Sequence, residues 1–218
     1  MKILFKYTTR SRRSNFLRGI DSIVNNLHDN ENYHILISVD KDDASMFPLP
    51  VLDCKHTYVV GESKSKVDAI NRDINEYSLF EDWDILVNMS DDVVFIEKGF
   101  DTKIRFMFEG ESERDLNQVL HFPDGNRNDL LTVSIMGREY YNRDNYIYNP
   151  EYKSLYCDNE AMEVAKQRGC YNFVDKQIFE HLHPAYGKAI FDVQYAKTES
   201  YGSLDCQTFI RRQANGFT

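Results

Sequence analysis

The sequence predicts an α/β protein built on one doubly wound sheet with helices on both faces. Three observations carry that reading. Apolar strand-like runs alternate with amphipathic helical segments through the first half of the chain, the pattern of a parallel sheet with crossover helices. The 218 residues contain no repeat, no low-complexity tract and no Pro/Gly linker, so they read as a single domain. Hydrophobic residues make up 42% of the chain, enough for a substantial core.

The elements follow in order. "KILFKY" (2–7) reads as the first strand. Ser14 is placed to cap a helix whose Phe16, Leu17, Ile20, Ile23, Val24 and Leu27 keep helical spacing. "YHILISV" (33–39) is a near-continuous apolar strand that ends at "DKDD", and "TYVVG" (57–61) is a third. Residues 64–77 form a helix with Val67, Ile70 and Ile74 on one face. "WDILVNM" (83–89) is the fourth strand, and residues 99–108 a helix with Phe100, Ile104 and Phe108 aligned. "QVLHF" (118–122) and "LLTVSIMG" (130–137) read as strands. The stretch 140–157 reads as a long loop holding six of the fourteen tyrosines, able to stack on sugar rings or bases or simply to pack. "DNEAMEVAKQRG" (158–169) is a helix opened by acids and closed by glycine. "YNFV" and "IFEHLHP" read as final strands, and the tail after Pro184 is polar without a clear element.

The net charge of −9 argues against a broad grip on nucleic acid or anionic lipid. No apolar run approaches the ~20 residues of a bilayer span, and the amino terminus lacks the order of a signal peptide. The four cysteines are widely spaced and form no CxxC pair. They read as reduced thiols of a cytoplasmic protein.

In a doubly wound sheet, ligands bind outside the carboxyl ends of the strands. Two acidic clusters stand there: Asp40 in "DKDD", and Asp91 and Asp92 in "SDD". Adjacent carboxylates repel and are costly to bury, so they need solvent, amides or a cation. A hard divalent ion, Mg²⁺ or Mn²⁺, held together with phosphates suits them. His181 and His183, two apart on a strand, share one face, and either can join such a site. Asp158, Asn159 and Glu160 open a helix, where acids are favoured in any case; the functional reading is a general base. Arg10, in the loop after the first strand, and Lys64, Lys66, Asn71 and Arg72, near a helix start, can meet phosphate or ribose. "TTRSRR" has no glycine, so it is neither a dinucleotide fingerprint nor a P-loop.

In this order the pieces resemble the GT-A glycosyltransferases, family-2-like members in particular. The blocks "KYTTRSRR", "MSDD", "CDNEAM" and "HLHP" are also similar to those of small stand-alone glycosyltransferase-like proteins of bacteriophages, large viruses and some bacteria. The resemblance covers about residues 2–185. It implies a nucleotide-binding half at about 1–95, an acceptor half at about 96–185 and a C-terminal tail at 186–218. It implies that Asp40 contacts the base, with Arg10, Arg72 and Asp91 as further nucleotide contacts. It makes Asp92, Asp91 and His183 the metal ligands and Asp158 the catalytic base. Two departures stand out: "VDKDD" replaces the family's acidic-small-residue turn, and Ser90-Asp91-Asp92 replaces Asp-any-Asp, leaving Asp92 as the leading ligand.

The expectation is therefore an inverting transferase using Mn²⁺ or Mg²⁺, which takes a sugar from a nucleoside-diphosphate sugar, UDP-sugar favoured. The acceptor is a glycan, a protein or modified nucleic acid, and the oligomeric state is open. Two alternatives have the same fold class: a module that binds nucleotide sugar or glycan without turnover, and a nucleotidyltransferase.

Overall fold

A computed structural model describes residues 1–79, 81–110 and 113–218. The strands are β1 (Ile3–Thr9), β2 (Tyr33–Asp40), β3 (His56–Gly61), β4 (Ile85–Met89), β5 (Val93–Phe95), β6 (Val119–His121), β7 (Ile135–Gly137), β8 (Tyr171–Phe173) and β9 (Phe179–His181). Seven of them form one sheet in the order β3-β2-β1-β4-β7-β6-β8. β1 to β4 are parallel, and β7 runs against both neighbours. β5 and β9 make a separate antiparallel ribbon.

Alternation along the central strands explains the two layers. Ile3, Phe5 and Tyr7 face one core with Ile35, Ile37, Ile85 and Val87; Leu4, Leu36 and Leu86 face a second core on the other side. The first core is covered by α1 (Arg13–Asn26) and α4 (Phe100–Glu109). The second is covered by α2 (Lys66–Asn71), α3 (Ile74–Tyr77), α5 (Arg138–Tyr141) and α6 (Cys157–Gln167). Gly19 lets α1 settle on β1, since a Cβ there would lie 2.0 Å from the Tyr7 hydroxyl. Among the described residues no helix is long and apolar enough to cross a membrane. Cys54, Cys157, Cys170 and Cys206 are all free thiols.

The structure departs from the sequence pattern at several places. The expected helix 64–77 is two short helices, broken at Asp73, which takes a left-handed conformation (φ 74°). Its carboxylate is drawn inward by the Ser38 hydroxyl, which is itself bonded to the fully buried Lys6 ammonium. The tertiary hydrogen bond overrides the local helical pattern. Ser14 does not cap α1: the helix already begins at Arg13, with Arg12 at the cap position and no side-chain cap bond. The run 130–137 is strand only from Ile135, because Leu130 and Thr132 turn to line a crevice. "IFEHLHP" pairs with β5 instead of extending the main sheet, and the strand ends at His181. His183 lies beyond it and caps a single 3₁₀ turn by accepting the Ala185 N–H at 3.2 Å. Finally, the polar tail folds into α7 (Val193–Ser200) and α8 (Gly202–Ala214).

Most of the tyrosine-rich stretch is packing. Tyr140, Tyr141, Tyr148 and Tyr152 are buried. Asn71, a candidate ligand contact, is occupied by this stretch: it donates to the Tyr148 carbonyl and accepts from the Ile147 and Tyr148 amides.

Candidate active site

Parallel register brings the strand ends level. Thr9 pairs with Val39, Asp40 with Gly61 and Tyr7 with Met89. The residues that follow each of these positions open onto one crevice of about 440 Å³. Asp40, Arg10, Asp91, Asp92, Asp158 and His183 all line it. The expected meeting of the two acidic clusters is therefore observed. Arg72 is not part of the lining; it sits behind Asp40, 3.8 Å from its carboxylate, and donates to the Val39 carbonyl at 2.9 Å.

At one end, Asp40 accepts from Arg10 at 2.7 Å and from the Ser63 hydroxyl at 2.6 Å. Arg10 also grips Asp42 through two 2.7 Å bonds. These carboxylates strengthen Arg10's hold on its proton. Asp43 accepts the Ser11 N–H at 2.7 Å and fixes the loop after β1 to the turn after β2.

Beyond β4, Asp91 and Asp92 are buried side by side in very different settings. Asp91 Oδ1 is buried without a hydrogen-bond partner. Desolvation, with some repulsion from Asp92, pushes its carboxyl up to about 8. Asp92 accepts from Ser90 Oγ at 2.5 Å and from the Tyr195 hydroxyl at 2.9 Å, with His181 Nε2 3.5 Å away. Burial alone would raise its carboxyl, but hydrogen bonding and charge from His181 outweigh it and hold Asp92 far below the usual carboxylate range.

His181 is the histidine at the acids. Its Nδ1 lies 3.3 Å from Asp124, a fully buried carboxylate that also accepts the Asn126 and Arg127 amides at 2.8 Å. Burial opposes protonation of this ring, yet Asp124 and Asp92 together push it up to about 9. The carboxylate behind Nδ1 aims Nε2 at Asp92, the arrangement in which proteins orient metal-bound imidazoles. His183 stands beside it, ring centroids 5.2 Å apart, and carries no direct bond to either acid.

Asp158 lies at the start of α6, partly open to the crevice. The protein around it raises its carboxyl above the ordinary range, and Lys66 across the crevice only partly offsets this. The helix terminus alone thus does not govern its ionisation. Glu160 faces away, buried, bonded by Tyr152 at 2.7 Å and by Arg212 of α8 at 2.8 Å. Asp205, also on α8 and fully buried, accepts the consecutive amides of Lys153, Ser154 and Leu155 at 2.8–2.9 Å. It thereby fixes the loop that leads into Asp158.

Sequence reasoning passed over Arg12, Asp124, Asp192 and Tyr195. Asp124 had a signal in "PDGN", a turn in which an aspartate binds its own downstream amides. Asp192 had one as a helix N-cap. Arg12 and Tyr195 meet only through tertiary docking.

No family model matches the chain, and no curated protein matches it in sequence. Solved structures do match in shape. A mannosyltransferase from Pyrobaculum calidifontis, PcManGT, in complex with GDP-Man and Mn²⁺, superposes with a TM-score of 0.55 at 10% identity, covering 80% of this chain and 54% of that one. TarS 1–349 of S. aureus in complex with UDP-GlcNAc gives a TM-score of 0.59 at 14% identity, with 82% and 57% covered. The fold is that of the GT-A nucleotide-sugar transferases. A cytidylyltransferase from Leptospira borgpetersenii has the same core, with a TM-score of 0.53 at 12% identity and 81% and 76% covered. The chain spans little more than half the length of PcManGT and of TarS 1–349.

Proposed function

We propose that the protein is a metal-dependent glycosyltransferase that moves a sugar from a nucleoside-diphosphate sugar, UDP-sugar favoured, to an acceptor hydroxyl with inversion. The observation that carries this is the single crevice in which Asp40, the Asp91–Asp92 pair and Asp158 converge within a GT-A fold. PcManGT and TarS, complexed with GDP-Man and UDP-GlcNAc, support a nucleotide-sugar donor.

The side chains suit a divalent cation. Asp91 Oδ1 is an orphaned buried oxygen, and Asp92 Oδ2 and His181 Nε2 are 3.5 Å apart. Among the described residues no three acids, histidines or cysteines stand close enough to hold an ion by themselves, so a bound ion would have to draw these side chains together and complete its shell with diphosphate oxygens and water. Asp91, Asp92 and His181 would hold the ion, and a nitrogen in the set favours Mn²⁺ over Mg²⁺. When bound, it would neutralise charge gathering on the departing diphosphate.

The chain's own residues supply the rest. Asp40, with Arg10 and Ser63 holding both its oxygens, offers a fixed acceptor edge to the base. Lys66 adds positive charge between the diphosphate acids and Asp158. Asp158 takes the proton of the acceptor hydroxyl as its oxygen attacks the anomeric carbon from the side opposite the diphosphate. Its raised carboxyl makes it a stronger base than a solvated aspartate.

The cytidylyltransferase likeness keeps a second reading, a nucleotidyltransferase, in view. Thermal-shift screening of nucleotide sugars with and without Mn²⁺ finds the donor, and product analysis separates the readings. Free nucleoside diphosphate is expected; pyrophosphate would overturn the glycosyltransferase assignment.

A further inference from the structure

Arg12 stands in the loop after β1 and lines the crevice, yet its guanidinium is already taken. It makes a two-bond fork, 2.7 and 2.6 Å, with Asp192, a residue 180 positions away. Asp192 in turn caps α7 by accepting the Tyr195 N–H at 3.0 Å. Arg12 lies 4.0 Å over the Tyr195 ring, and the Tyr195 hydroxyl donates to Asp92. One chain of contacts thus runs from an arginine at a strand end, through a carboxylate, to the acid at the heart of the site.

The guanidinium fork fits carboxylate and phosphate with the same geometry. A diphosphate carries more charge than one carboxylate and competes for the same two N–H groups. The Asp192 side chain is 38% exposed, so it can leave without crossing the core. Tyr195 is the single buried residue of α7, and Val193 is 80% exposed. A helix with so few apolar anchors is held largely by these polar contacts.

We propose that Asp192 occupies on Arg12 the place of the donor's diphosphate, and that its displacement lifts α7, withdraws Tyr195 and opens Asp92 to the cation. Arg12 is then an anion-binding residue, and α7 a latch that couples donor entry to metal entry. The idea rests on the nucleotide-sugar reading for the identity of the anion, but inorganic pyrophosphate tests it independently.

Pyrophosphate is titrated by calorimetry, without divalent ions, into the parent, Asp192→Asn and Arg12→Gln. Asparagine caps helices as well as aspartate does, so the first variant removes charge and keeps the cap. Asp192→Asn is expected to bind about fivefold tighter, the scale of one partly exposed ion pair. Arg12→Gln should bind about tenfold weaker. Hydrogen exchange of the α7 amides in the parent should quicken under saturating pyrophosphate. Equal affinity in parent and Asp192→Asn, or unchanged α7 exchange, overturns the latch. A protein that shows the latch but releases no nucleoside diphosphate from any sugar nucleotide keeps this inference and loses the glycosyltransferase reading.

Discussion

The four parallel strands and the two C-terminal helices both build the crevice, the strands and α7 by lining it and α8 by bracing the loop before Asp158, through different physics. Arg10, Asp40, Asp91 and Asp92 stand where they do because apolar strands are buried on both faces and run parallel, so polar residues that end them must emerge at one edge. Tyr195, Asp205 and Arg212 belong to helices that bury little apolar surface and are held by buried hydrogen bonds and ion pairs. The first arrangement follows from chain pattern. The second exists only once the rest has folded. Substitutions in the crevice should therefore change chemistry with the fold intact, and substitutions in α8 should change stability first.

The sharpest break of that contrast lies within α6. Asp158→Asn is expected to bind donor normally and transfer sugar ~10²–10⁴-fold more slowly, the scale of a lost general base. Glu160→Gln, two residues on, should instead lower the melting temperature, because Glu160 is the buried partner of Arg212. Steady-state kinetics and thermal melts on both variants check this. Slow transfer by Glu160→Gln at unchanged stability would exchange their roles.

The two histidines give the next contrast. His181→Ala should weaken Mn²⁺ binding by at least about tenfold, since it removes an oriented imidazole. His183→Ala should change it less than about twofold, as its Nδ1 serves the turn after β9. Calorimetry with Mn²⁺ decides, and the reverse order would restore His183 as the ligand.

For α8, Asp205→Ala strips the acceptor from three consecutive amides. Each buried unsatisfied group costs about 1–3 kcal/mol, partly relieved by water. At ~2–4 °C per kcal/mol for a chain of this size, a loss of roughly 5–15 °C in Tm is expected. A drop under a few degrees would mean that α8 is not a structural splint.

The same contrast explains what was legible in the sequence. The four parallel strands and the acidic strand ends follow from periodicity and punctuation, which act within a few residues. The break at Asp73 does not, because Ser38 and Lys6, which cause it, lie on other strands. His183 lines the crevice as expected, but that His181 is the ring turned to the acids was hidden for a related reason. Both histidines have the same local pattern, and Asp124, more than fifty residues away, selects His181. The tail stayed unread because its helices have little amphipathic signal, with Tyr195 the lone buried residue of α7.

The last contrast concerns Asp91, whose placement is local but whose ionisation is not. Its carboxyl is raised to about 8 in the folded protein, against 3.8 for an ordinary aspartate. Below about pH 4 the group is protonated folded and unfolded alike, and the stability associated with the raised value is fully present. Between pH 4 and 8 the folded state keeps a proton that the unfolded chain releases, so stability falls as pH rises. Asp91→Asn removes that dependence. Without metal, the variant should melt increasingly above the parent as pH rises from 5 to 8. Saturating Mn²⁺ should narrow or reverse the gap, because the cation stabilises the ionised parent and has lost a ligand in the variant. Differential scanning fluorimetry across that range, with and without Mn²⁺, reads both effects. A gap that stays constant with pH would show that Asp91 ionises as a solvated carboxylate. A gap that widens with pH but ignores Mn²⁺ would keep the buried acid and remove it from the metal site.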